Sequence, residues 1–152
     1  MEDTVKVRGF YRVQIEEGGK IVGDSSWKEN QVVNLGFNDF LCQLLGDMGG
    51  SKQISHAALG TGTAPGAADT TLAGEVAVRT GVTAATSSTS KKLRFTATFS
   101  SAGNFVTTTM ALQNIGLFNS LTVGALFAGN TYATSNCATN QNVNVTYDID
   151  FS

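Results

Sequence analysis

Val5-Lys6-Val7-Arg8-Gly9-Phe10-Tyr11-Arg12-Val13-Gln14-Ile15 is the most regular stretch of the chain, and Glu17-Gly18-Gly19-Lys20 follows it. Val5, Val7, Gly9, Tyr11, Val13 and Ile15 fall on one side of an extended backbone. Lys6, Arg8, Phe10, Arg12 and Gln14 fall on the other. A period of two marks a strand with one buried face. The paired glycines accept the positive φ of a tight turn, and Ile21-Val22-Gly23 resumes the extended pattern. The chain therefore begins with a β-hairpin.

The same alternation returns in Leu93 to Phe99 and in the closing Val143 to Phe151. Ile54 to Leu59, Ala111 to Phe118 and Val123 to Phe127 read as further strands, for seven or eight in all. One segment breaks the period: Leu35, Phe37, Phe40, Leu41, Leu44 and Leu45 recur at spacings of three and four. This predicts a helix over 34–46, capped by Asn34, ended at Gly46 and packed on a sheet with Cys42 buried. Gly60 to Gly66 is a loop, Asp69 to Glu75 a short helical turn, and Thr83 to Ser90 an exposed polar loop. The expected fold is mainly β: a β-sandwich or jelly-roll-like single domain over 1–152 with one inserted α-helix. Residues 1–6 are expected to form an extended arm.

Composition agrees with this class. The chain has 152 residues, enough for one domain, and 41% are hydrophobic, enough for one core. Only 14% are charged, while 17 are Gly and one is Pro, a balance that favours strands and turns over a helical bundle. The net charge is −2 and no basic stripe is present, which argues against a nucleic-acid partner. The acidic start, Met1-Glu2-Asp3-Thr4, has no apolar core of a signal peptide, and no run approaches the ~20 apolar residues of a membrane span. Cys42 and Cys137 stand far apart in no metal-ligand spacing and are expected to be free thiols.

Few residues offer catalytic chemistry. His56 is the single histidine and lies in a predicted strand, where Ser55 beside it should point to the opposite face. Gly60-Thr61-Gly62 begins like a phosphate loop but lacks the Gly-Lys-Ser/Thr ending. Asp148 and Asp150 share one face at i and i+2, a spacing open to Ca²⁺ or glycosidase chemistry, yet equally that of a solvated edge, the reading preferred here. The expectation is a protein that is no enzyme and uses neither metal nor cofactor. Trp27, Tyr132 and Phe105 are candidates for contact with a glycan, while Trp27 also reads as a core residue of the hairpin.

Ala58-Leu59-Gly60-Thr61-Gly62-Thr63-Ala64-Pro65, then Asp69-Thr70-Thr71-Leu72, Glu75 and Arg79, resembles a pattern of small tailed-phage virion structural proteins. Asn30 to Phe40, Asn114 to Phe118 and Val145 to Ser152 extend the likeness over most of the chain. The motifs are short, and a virion role follows from them more directly than a position on the virion. The resemblance implies a capsid decoration (cement) protein, a homotrimer bound to the major capsid protein and made in the host cytoplasm. The alternative it leaves open is a tail, baseplate or fibre-tip component that contacts other tail proteins or a host glycan. Either way the motif residues are fold determinants, Glu75 and Arg79 being spaced to pair across a helical turn. The expected interface comprises Val5, Lys6 and Val7, through strand-edge pairing with a neighbour, together with Trp27 and Tyr132.

Overall fold

A computed structural model describes residues 5–46, 49, 52–87 and 91–152. The protein is mainly β, with 51% of residues in strands and 11% helical. Ten strands follow one another as β1 (Val7–Glu17), β2 (Lys20–Asp24), β3 (Lys28–Val32), β4 (His56–Gly60), β5 (Thr80–Gly81), β6 (Thr83–Ser87), β7 (Lys92–Phe99), β8 (Met110–Phe118), β9 (Leu126–Cys137) and β10 (Asn142–Phe151). They form one antiparallel sheet in the order β5-β4-β8-β9-β3-β1-β10-β7-β6, with β2 beside β1. Two segments serve both walls. β3 pairs with β1 through Lys28–Asn30 and with β9 through Gln31 and Val32. Likewise Thr80–Gly81 pairs with β4, while Thr83–Ser87 pairs with β7. The result is a nearly closed barrel whose two walls are the layers of a sandwich.

The first hairpin is as the sequence predicts. Glu17 pairs with Lys20 across Gly18 and Gly19, whose φ values of 55° and 80° suit a two-residue turn that only glycine adopts cheaply. Tyr11, Val13 and Ile15 point inward and are buried. β10 and β7 complete this wall, sending Val143, Val145, Tyr147 and Ile149, and Phe95, Ala97 and Phe99, into the same core. The opposite wall behaves differently. β4 and β8 carry unbroken buried runs, because the loop between Gly60 and Arg79 folds over their outer face. There Leu72 joins Val33, Ala58, Phe118 and Leu126 in a second small core. A sheet covered on both sides loses its alternation.

Several expectations are corrected. The Thr83–Ser90 region is not a loop as far as it is described: Thr83–Ser87 is an edge strand on β7, and 88–90 lie outside the described residues. Leu126, rather than Val123, begins β9, and Val123 is exposed. Asp69 to Glu75 is no helix. Asp69 instead accepts a hydrogen bond from the Gly66 N–H at 2.8 Å and tightens a turn, while Glu75 bridges back to Gly60.

The helical segment follows β3, but most of it, Gly36–Cys42, has π-helical geometry before an α turn at Gln43–Leu45. It starts without a side-chain cap, and the Asn34 N–H goes to the Ala67 carbonyl. Gly36 lies so close to β9 that a Cβ there would stand 2.4 Å from the Phe127 carbonyl oxygen. Phe40 is buried and meets Phe127 edge-on at 5.2 Å. Phe37, Leu44, Leu45 and Cys42 are exposed, so the apolar face is wider than the surface the sheet offers it. Among the described residues no helix is long and apolar enough to cross a membrane.

Of the expected arm, residues 1–4 lie outside the described residues. Lys6 exchanges backbone hydrogen bonds with Ser152, its N–H donating at 2.5 Å and its carbonyl accepting at 2.9 Å. Its backbone thus extends the pairing of β1 with β10 within the chain.

Candidate functional site

The outer face of the first wall carries a network of ion pairs among Lys92, Arg94, Asp148 and Asp150. Register places Phe10 beside Asp148 and Asp148 beside Arg94, and in the next row Arg8, Asp150 and Lys92. β10 lies between β1 and β7, so Asp148 and Asp150 stand in mid-sheet and the solvated-edge reading fails. Asp148 is 2% exposed. Its two oxygens accept hydrogen bonds from Arg94 Nε at 2.7 Å and Nη2 at 2.8 Å, and Lys92 Nζ stands 3.3 Å away. Burial alone would raise its carboxyl pKa, but the bonds and charges of Arg94 and Lys92 outweigh that and hold it below the ordinary value of 3.8. A carboxylate kept ionised in this way is the opposite of the proton donor that glycoside hydrolysis requires.

Trp27 overhangs this cluster because of a corner at Asp24–Ser26. Asp24 accepts from the Ser26 N–H at 2.8 Å, and Ser26 takes a left-handed φ of 58°. The Asp24 carboxylate is itself clamped by Arg12, at 3.0 Å from Nε, and by Gln14 Nε2 at 3.0 Å. Hydrogen bonding to Arg12 is the main cause of its strongly lowered pKa. The chain leaves this corner with Trp27 above the sheet, its ring centroid 5.6 Å from the Arg94 guanidinium carbon. Trp27 is 44% exposed, so it is not the core residue of the hairpin. With Phe10, Lys92, Arg94, Asp148 and Asp150 it lines a cleft of about 390 Å³. Beside the cleft Arg8 and Glu29 form a bidentate pair, at 2.9 and 3.0 Å.

The other expected contact residues separate. Val5 is exposed, and Val7 belongs to the β1–β10 ladder, packed against the core. Tyr132 is 7% exposed and packs against Tyr11, because β9 turns that position into the barrel, so it offers no ring to a partner. Phe105 is buried against Phe99. Of the three aromatic candidates, Trp27 is the one that reaches solvent. Lys92, Arg94 and Phe10 were not singled out in the sequence, where each is one more outward residue of an alternating strand. Their convergence comes from pairing between distant strands.

The loop residues have structural tasks. Asn114, fully buried in β8, donates through Nδ2 to the carbonyls of Thr63 and Ala73 and ties the loop down at both ends. Gly62 lies so near Ala73 that a Cβ there would be 2.3 Å from its carbonyl oxygen. The glycines serve close backbone approach rather than a phosphate. Glu75 and Arg79 do pair, at 2.5 Å, although no helix spaces them. Ser55 Oγ touches His56 Nδ1 at 2.8 Å, contrary to expectation, because Ser55 precedes β4 and is not held to strand alternation. Among the described residues no group of three or more His, Cys, Asp or Glu is placed to hold a metal ion. Comparison with protein families, curated proteins and solved structures finds no match for this chain.

Proposed function

We propose that this protein is a non-catalytic structural component of a tailed-phage virion, first of all a capsid decoration protein that stabilises the shell as a homo-oligomer. The observation that carries the reading is the use made of the phage-like segment from Ala58 to Arg79. Leu59 and Leu72 are buried, Asn114 anchors the loop, and Arg79 is held by Glu75 and by the carbonyls of Ser120 and Val123. Leu59, Leu72, Glu75 and Arg79 of the motif thus each have a task in building the domain. An assembly partner is suggested by Phe37, Leu44 and Leu45, three large apolar side chains exposed along the helical segment, since exposed apolar surface marks many interfaces.

The second reading, a tail or attachment component, is favoured by the exposed Trp27 above a cleft of mixed charge. Copy number per purified virion, measured by quantitative mass spectrometry against the major capsid protein, separates the two. Hundreds of copies support decoration, because the icosahedral lattice alone offers so many equivalent positions. A few to a few tens support the tail, and absence from the particle overturns both.

A further inference from the structure

We propose that the cleft beneath Trp27 is a binding site for a neutral saccharide, with a sugar ring stacked on the indole and its hydroxyls bonded to Asp150, Lys92 and Arg94. The site deepens the attachment reading by naming a ligand class. It rests on the geometry of the cleft, and holds whether the domain sits on a capsid or a tail.

Charge selects the ligand class. Lys92 and Arg94 balance Asp148 and Asp150, and Arg8 balances Glu29 at the rim. A phosphate or polyanion would find no surplus of positive charge, nor a cationic peptide a surplus of negative. A neutral molecule with an apolar face and many hydroxyls suits the lining better. Each hydroxyl both donates and accepts, and the cleft presents acceptors and donors side by side. The acceptor Asp150 Oδ1 is already out of water and has no hydrogen-bond partner among the described residues, although Lys92 Nζ stands 3.6 Å away. The Asp150 side chain is nonetheless 32% exposed, with Lys92 at 34% and Arg94 at 46%, so the cleft opens an acceptor and two donors to the hydroxyls of a ligand.

Preorganisation points the same way. The bidentate Arg94–Asp148 pair fixes both planes before any ligand arrives, so little side-chain freedom is lost on binding. The Asp24 corner likewise holds the backbone that presents Trp27. Indole gives a flat apolar platform with few rotatable bonds, suited to the C–H face of a pyranose. At about 390 Å³ the cleft lies near the lower end of small-ligand sites, with room for roughly one or two sugar rings.

Trp27 is the single tryptophan of the chain, so its fluorescence reports on this cleft without labelling. The purified full chain would be titrated with methyl α-D-glucoside, methyl β-D-galactoside, methyl N-acetyl-β-D-glucosaminide and maltotriose, with inorganic phosphate and an acidic and a basic peptide as controls. A saturable change in emission with at least one saccharide is expected, at a Kd on the order of 1 mM for so open a site. Asp150→Asn should weaken binding at least about 5-fold, and Trp27→Ala, followed by calorimetry, should abolish it. Both variants would first be checked for an unchanged melting profile. Lys92→Gln provides a second variant should either fail that check. The proposal is overturned if none of the four saccharides gives a saturable change, if only phosphate or a peptide does, or if binding persists in folded Trp27→Ala. None of these results alters the virion copy number, so failure here is distinct from failure of the virion reading.

Discussion

Arg79 shows how much one side chain can carry. It is buried, with its guanidinium in a fork on Glu75, bonded to the carbonyls of Ser120 and Val123 at 2.9 and 3.2 Å, and 3.6 Å from the ring centroid of Phe118. Arg79→Ala would strand the carboxylate and two carbonyls at once, and should cost about 2–4 kcal/mol in denaturant unfolding. Arg79→Lys should recover only a minor part, since an ammonium has neither the fork nor the flat face. Equal stability of both variants with the parent would disprove this role. The tyrosines make a second residue-scale case. All three of the chain lie together, with Tyr11 stacked on Tyr147 at 5.9 Å and tilted on Tyr132 at 6.5 Å. Burial pushes the Tyr11 hydroxyl up to about 12 and raises those of Tyr132 and Tyr147 well above the ordinary value of 10. A raised folded-state value means stabilisation fully present below pH ~10 and lost as pH climbs through the folded values. Ultraviolet titration should show no tyrosinate step near pH 10, only a late rise that coincides with unfolding. An early step worth one tyrosine would contradict the packing.

At the scale of elements, the helix is the one whose type was legible and whose burial was not. The spacing of Leu35, Phe40, Leu41 and Leu44 announces a helix, but periodicity cannot say how much sheet lies beneath it. Here Phe40 and Gly36 make the contact, and Asp39 pairs with Lys52 at 2.8 Å to hold the segment to the chain that leads into β4. Cys42 faces solvent while Cys137 is buried, its thiol pKa raised by burial. A disulfide-exchange reagent should therefore modify one thiol rapidly in the native state and the second only on unfolding, and Cys42→Ser should remove the fast phase. The outer rows of β1, β7 and β10 predict an acid response. Asp148 and Asp24 both have depressed pKa values, so the stability they contribute is present above pH ~4 and declines as pH falls through their folded values. Asp148→Asn should make the melting temperature fall less steeply below pH ~4 than in the parent protein, which keeps both depressed carboxylates. Parallel curves for the two would rule out the Arg94–Lys92–Asp148 cluster as an acid-sensitive element.

For the whole molecule, the question is which surface is left for assembly. Lys6 and Val7 already pair with Ser152 and Phe151 within the chain, while Leu44 and Leu45 on the helix stand exposed. Leu45 is 89% exposed and Leu44 stands beside it at the rim of an apolar hollow that includes Ile54 and Phe151. If the protein is a homo-oligomer, Leu44→Asp with Leu45→Asp should shift it to monomers in light scattering while the melting temperature stays nearly unchanged, because neither side chain is in the core. An intact oligomer would place the interface elsewhere. The sequence by itself determined the β class, the first hairpin with its Gly18-Gly19 turn, the inward sets of β1, β7 and β10, and the existence of a helix after β3. These depend on periods and turn residues, which are local. Tertiary structure alone decided that the chain's first and last long strands are neighbours, that the 61–79 loop covers β4 and β8, and that Phe10, Trp27, Lys92, Arg94, Asp148 and Asp150 meet at one cleft. Those residues are up to 140 positions apart by subtraction of Phe10 from Asp150, and only the antiparallel register of β1, β10 and β7 sets them side by side. Alternation tells which face a residue takes, whereas pairing between distant strands determines which residues share that face.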